Sequence, residues 1–127
     1  MKRILLVLAL FVFTAGIVSA QNAVIEVEGD IVYDFGDIKE SGGPVTHTFI
    51  VKNTGDAALV ITNVTSSCGC TIPDSTKEPI APGKTGEVKV TFDPKGRPGP
   101  LTKPVSVYSN GKTGSFILTI KGNVIQG

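Results

Sequence analysis

Cys68 and Cys70 are the only cysteines in a chain of 127 residues, and Gly69 alone separates them. Two sulfurs so spaced can bridge to each other, exchange with other thiols, or chelate a soft ion. In an extended strand, side chains at i and i+2 share a face, with Cα atoms near the upper limit of a disulfide's span. Gly69 has no Cβ to clash and lets the chain fold tighter. A bridge here closes a tiny ring, removes little unfolded-chain entropy and stabilises the fold weakly. Such a bridge is also expected to be strained, and strained disulfides are the oxidising, labile ones. Redox enzymes usually add a helix N-terminus or a cation that depresses one thiol's pKa. No helix is visible here, and the nearest cation in sequence is Lys77. As for metals, two thiolates suit Cu(I). Zinc wants four ligands, and the chain adds only His47 and scattered carboxylates. A static bridge, a redox couple and a copper site on Cys68 and Cys70 all stay open. No other metal and no cofactor is expected.

Other chemistry-bearing stretches lack their context. Gly83-Lys84-Thr85 and Gly111-Lys112-Thr113 resemble the end of a phosphate-binding loop. Glu78 and Ser106 stand where that motif requires its first glycine. His47 lies in an alternating apolar stretch and has no nucleophile elbow to serve. No catalytic constellation is present, and the chain reads as a non-enzyme. The basic, Pro/Gly-stiffened residues 95–100 could contact an acidic or glycan partner, but they fit better as a rigid connection protecting a sheet edge.

The elements that must hold the cysteines are strands. Short runs rich in Val, Ile, Thr and Phe recur between Gly, Pro, Asn and Asp, and no stretch has helical periodicity. Residues 24–28 and 31–35 form two short strands, broken by Gly29-Asp30 and ended by Gly36. Val45, His47, Phe49 and Val51 alternate with polar residues along a third. The turn at Asn53-Thr54-Gly55-Asp56 uses residues suited to positive φ. A strand over 59–65 then leads into the cysteines. Pro82-Gly83 is a turn, and Val88, Val90 and Phe92 face the core of the next strand. Residues 93–100, with three prolines and two glycines, read as a loop. Val105 and Val107 mark a strand, Asn110-Gly111 signals a hairpin, and Phe116, Leu118 and Ile120 alternate along the last strand. Seven or eight antiparallel strands at this spacing predict an all-β, immunoglobulin-like β-sandwich, with a small closed barrel as the alternative. There is no tryptophan and no pair of distant cysteines, so no bridge pins the core.

Lys2 and Arg3, the apolar run over 4–13 and the small residues Val18-Ser19-Ala20 read as a signal peptide over residues 1–20, cut after Ala20. An uncleaved anchor is the rival reading, because no charge falls between Ile4 and Ile25. The remaining ~107 residues make one domain, 21–127. Losing Lys2 and Arg3 from the 12 basic residues, against 11 acidic ones, leaves about one net negative charge. That balance argues against nucleic acid and against a basic membrane-binding surface. Cleavage leaves no membrane span. Export also places the cysteines in an oxidising compartment, where an even count favours a disulfide.

Tyr33-Asp34-Phe35-Gly36-Asp37-Ile38, Lys52-Asn53-Thr54-Gly55, Ser67-Cys68-Gly69-Cys70-Thr71, Pro79-Ile80-Ala81-Pro82-Gly83 and Val107-Tyr108-Ser109-Asn110 occur in this order. Together they closely resemble a family of exported bacterial proteins, domain of unknown function 1573. The cysteine stretch is the most specific part. The resemblance implies an immunoglobulin-like fold similar to the major sperm protein and pilus-chaperone group, and a periplasmic or secreted location. It implies no activity. The expectation is a non-catalytic domain that binds another envelope protein, through strand addition at an exposed sheet edge. Thiol–disulfide or copper handling at Cys68 and Cys70 is the alternative.

Overall fold

The computed structural model describes residues 22–127, so the expected signal peptide and its cut after Ala20 lie outside the described residues. Eight strands follow one another: β1 Ile25–Glu28, β2 Val32–Lys39, β3 Val45–Asn53, β4 Ile61–Ser66, β5 Thr71–Ser75, β6 Thr85–Phe92, β7 Gly99–Ser109 and β8 Ser115–Ile125. A single 3-10 turn, Glu40–Gly42, separates β2 from β3. The strands form two four-stranded sheets, ordered β1-β3-β6-β5 and β2-β8-β7-β4. The protein is an immunoglobulin-like β-sandwich. No helix among the described residues is long and apolar enough to cross a membrane.

The core follows from period-two alternation. Along β6, Val88, Val90 and Phe92 are fully buried while Glu87 and Lys89 are exposed. Val51 on β3, Val105 and Val107 on β7, and Leu118 and Ile120 on β8 meet them between the sheets. Each such side chain contributes about 1.5–3 kcal/mol on leaving water.

Five details depart from the sequence reading. β2 does not end at Gly36. It passes through an irregularity between Asp34 and Asp37 and runs on to Lys39. It also pairs with β8 in parallel, so the sandwich is not wholly antiparallel. β5 gives almost no sequence signal because Pro73 lies within it. It is an edge strand, where a missing N–H costs no ladder bond. β7 begins at Gly99, inside the expected loop, and Pro100 pairs with Asn123. The β7–β8 connection is longer than an Asn-Gly turn, and its left-handed residue is Gly114. Asn110 instead ties the hairpin sideways. Its Nδ2 donates to Ala58 O at 3.1 Å, and its Oδ1 accepts from Val60 N at 2.8 Å.

Two of the crossings between the sheets join edge strands, at opposite sides of the sandwich. On one side, β1 leads over Gly29 into β2. On the other, β4 leads over residues 67–70 into β5. Both candidate surfaces lie at these crossings.

Candidate functional site

The cysteines occupy the β4-to-β5 crossing, in a turn rather than an extended strand. Their sulfurs lie at disulfide distance with Cα atoms 5.1 Å apart, comfortably inside a bridge's span, because the turn shortens the separation. Thr71 N–H donates to Cys68 O at 3.1 Å, and Asp93 N–H donates to Cys70 O at 2.9 Å. Ser66 Oγ accepts from Cys68 N–H at 3.3 Å. The two sulfurs are not equivalent. Cys70 is 4 % exposed and joins the core, with its Sγ 3.6 Å from Thr71 Oγ1. Cys68 is half-buried, and its Sγ accepts from Cys70 N–H at 3.2 Å. Gly69 has no positive φ, and a Cβ there would touch nothing within 4 Å. The backbone therefore does not require glycine at this position; its absence of side chain leaves the turn open to solvent.

Lys77 stays with β5. Its Nζ lies 2.8 Å from Asp74 Oδ1. That hydrogen bond, with one from Ser75 N–H, holds the Asp74 carboxyl below its usual pKa. His47 is not beside the sulfurs in the sheet either, because β6 separates β3 from β5. Its ring stacks on Tyr33 at 3.6 Å with an interplanar angle of 9°, and meets Phe49 edge-on at 4.6 Å. Burial pushes its pKa below the ordinary histidine value. Among the described residues, no group of three or more His, Cys, Asp or Glu side chains is placed to hold a metal. Residues 95–100 are tethered at their start, where Gly96 N–H donates to Glu40 Oε2 at 2.9 Å.

The Tyr33–His47 stack marks a second surface that sequence reading missed. β1 covers only Ile50 to Asn53 of β3, because Gly29, at φ +92°, turns the chain away toward β2. Residues 45–49 thus have β6 on one side and no strand on the other among the described residues. Asn53 directs both its N–H and its C=O toward the β6 side, bonding to Lys84 O and Gly83 N–H. Backbone groups alternate in direction along a strand, so those of Thr46 and Thr48 point out at the bare edge. A groove of about 250 Å³ runs beside it, lined by Glu28, Asp30, Val32, Tyr33, His47 and Phe49. Ile31, Val32 and Tyr33 stand 50 %, 41 % and 37 % exposed next to it. Residues 22–38 carry Glu26, Glu28, Asp30, Asp34 and Asp37 and no Lys or Arg, so the flank is acidic. The signal for this edge was the short β1 ended by Gly29, but how much of β3 it covers is a tertiary fact.

With this geometry established, the sequence of residues 25–124 matches the family described as "Protein of unknown function (DUF1573)". The chain belongs to the DUF1573 family. No match was found among curated proteins. Several solved structures share this chain's fold, one of them a PapD-like domain. A protein of unknown function from Porphyromonas gingivalis W83 superposes with a TM-score of 0.70 at 17 % identity, over 87 % of this chain and 50 % of its own length. This DUF1573 chain thus spans half of that protein. PapD-like domain 7 of human CEP192 gives 0.68 at 12 % identity, covering 84 % of this chain and 88 % of the domain. The VesB protease of Vibrio cholerae gives 0.57 at 20 %, covering 82 % of this chain and 32 % of the protease. At these identities the likeness is one of fold alone.

Proposed function

We propose that this protein is an exported, non-catalytic binding domain of the bacterial cell envelope, and that it captures an extended segment of another envelope protein along the bare edge of β3. The observation that carries this reading is the unpaired run of residues 45–49 beside the exposed Ile31, Val32 and Tyr33. An incoming strand gains backbone hydrogen bonds to Thr46 and Thr48, and its alternate side chains cover the aromatic stack. The acidic flank selects the occupant. A strand alternating apolar with Lys or Arg residues complements Glu28, Asp30 and Asp34, whereas a second copy of the same acidic edge is repelled. Fold likeness to domains carried within larger proteins is compatible with a binding module and does not name the partner.

The test is selection of ligands from a random peptide library displayed at twelve residues, followed by amide exchange on the complex. Selected peptides are expected to alternate apolar and basic residues and to protect the Thr46 and Thr48 amides. Thr48→Pro removes an outward N–H while costing no bond within the sheet, and should abolish binding with the fold retained. Selected peptides that leave both amides unprotected, or that bind Thr48→Pro unchanged, would rule out this edge. Dimerisation through β3 would overturn the choice of occupant.

A further inference from the structure

We propose that Cys68 and Cys70 form a thiol–disulfide couple working within the folded domain, with Cys68 Sγ as the atom that meets an incoming polypeptide thiolate. The turn holds itself without the bridge. Its backbone is fixed by the bonds from Thr71 N–H to Cys68 O and from Asp93 N–H to Cys70 O. Both flanking strands are paired, β4 with β7 and β5 with β6. A bridge spanning one intervening residue adds little further constraint. It can therefore open while the sandwich stays folded.

The two sulfurs divide the work by burial. Thiol exchange requires a thiolate to approach along the S–S axis from outside. Cys70 is enclosed in the core, while Cys68 is only partly buried, in a turn where the exposed Gly69 places no side chain over it. The N–H of Cys70, directed at Cys68 Sγ from 3.2 Å, stabilises negative charge on that sulfur once the bridge is open. This donor belongs to the backbone, so it does the work for which a redox enzyme normally uses a helix N-terminus.

In the first step, R–S⁻ attacks Cys68 Sγ and forms the R–S–Sγ bond. The Cys68–Cys70 bond breaks, and its electron pair leaves on Cys70 Sγ, which takes up a proton from solvent. A second R–S⁻ then attacks the mixed disulfide at the R sulfur. R–S–S–R departs and Cys68 is left as a thiolate. Two electrons pass from two partner thiolates to the cysteine pair, and the reverse sequence returns them. The surroundings favour a polypeptide as the thiol's carrier. β5 is an edge strand immediately after Cys70, and Ile72 on it is 61 % exposed, offering a chain both an edge and an apolar rest.

The experiment equilibrates the purified protein in glutathione redox buffers, traps thiols with acid and alkylation, and reads intact mass alongside amide dispersion by NMR. A two-electron transition with the folded spectrum retained is expected. Reduced Cys70→Ser keeps the backbone donor and should react with oxidised glutathione at Cys68 at least tenfold faster than Cys68→Ser reacts at Cys70. A single-cysteine peptide of extended sequence should open the bridge faster than glutathione at equal thiolate concentration. Should either variant misfold, peptide mapping of the mixed disulfide trapped on the wild-type chain supplies the same assignment. A bridge that opens only when the chain unfolds, or a mixed disulfide found on Cys70, would overturn the proposal. Glutathione reacting as fast as the peptide would overturn the polypeptide assignment.

Discussion

The side-chain amide of Asn53 donates to Ile80 O at 2.9 Å, linking the end of β3 to the segment ahead of β6. The same amide donates to Ala57 O at 2.7 Å, and its Oδ1 accepts from Gly55 N–H at 2.9 Å and Val24 N–H at 3.3 Å. One fully buried side chain thus satisfies four backbone groups around the end of the sandwich where β1 enters.

Asn53→Ala removes the side-chain partner of Val24 N–H, Gly55 N–H and Ala57 O at part-buried positions, while Ile80 O keeps its bond from Leu59 N–H. Each unsatisfied group costs about 1–3 kcal/mol, and partial hydration lowers the sum, so a loss of about 4 kcal/mol is expected. Urea unfolding measures it. Asn53→Asp should cost at least as much, since a carboxylate accepts where two donors are needed and brings a buried charge.

Gly55→Ala tests a different constraint. A Cβ at this position would run into Asn22 O and lie 2.6 Å from Val24 N, both backbone atoms of the segment entering β1. That segment must move away, at a cost of about 3 kcal/mol. Hydrogen exchange should show lost protection along β1 while β6 to β8 keep theirs. A uniform loss across both sheets would contradict this local account.

His47 gives the domain a pH dependence. Burial lowers its folded pKa below the unfolded value of 6.5, so folding favours the neutral ring. Its contribution is fully present above pH 6.5 and is lost as pH falls through the depressed folded value. His47→Phe keeps the aromatic contact with Tyr33 and carries no titrating group. Its stability should be flatter with pH over that window, as thermal unfolding at a series of pH values will reveal.

Replacing both Cys68 and Cys70 by Ser should destabilise the domain only modestly. The chain-entropy relation gives about 1.5 kcal/mol for a loop this short, against about 3 kcal/mol for a loop of fifteen residues. Urea unfolding of the double variant against the bridged protein measures the difference. A cost above about 4 kcal/mol would mean that the bridge carries the fold, contrary to the backbone bonds that hold the turn.

Much of the sandwich was written in local pattern. The alternation Val88-Val90-Phe92 and the run through Leu118 and Ile120 put one face of each strand into the core, because side-chain direction in a strand has a period of two and needs no distant information. The cysteine pair was equally legible, since residues i and i+2 are close wherever they fall. Long-range pairing was not. Pro73 and Pro100 argue locally against strands, yet β5 and β7 contain them, because an edge or a strand terminus leaves their missing N–H without a ladder partner to disappoint. Asn53, Gly55 and Asn110 read as turn residues, whereas their roles come from segments that only the fold brings alongside: residues 22–24, Ile80 and Ala58. The bare edge of β3 has the same origin. The sequence by itself determined which residues face inward and that the two sulfurs lie close together. The tertiary structure alone decided that β1 stops short and that Cys70 is buried while Cys68 is only partly so, because coverage and burial depend on what the rest of the chain places beside a residue.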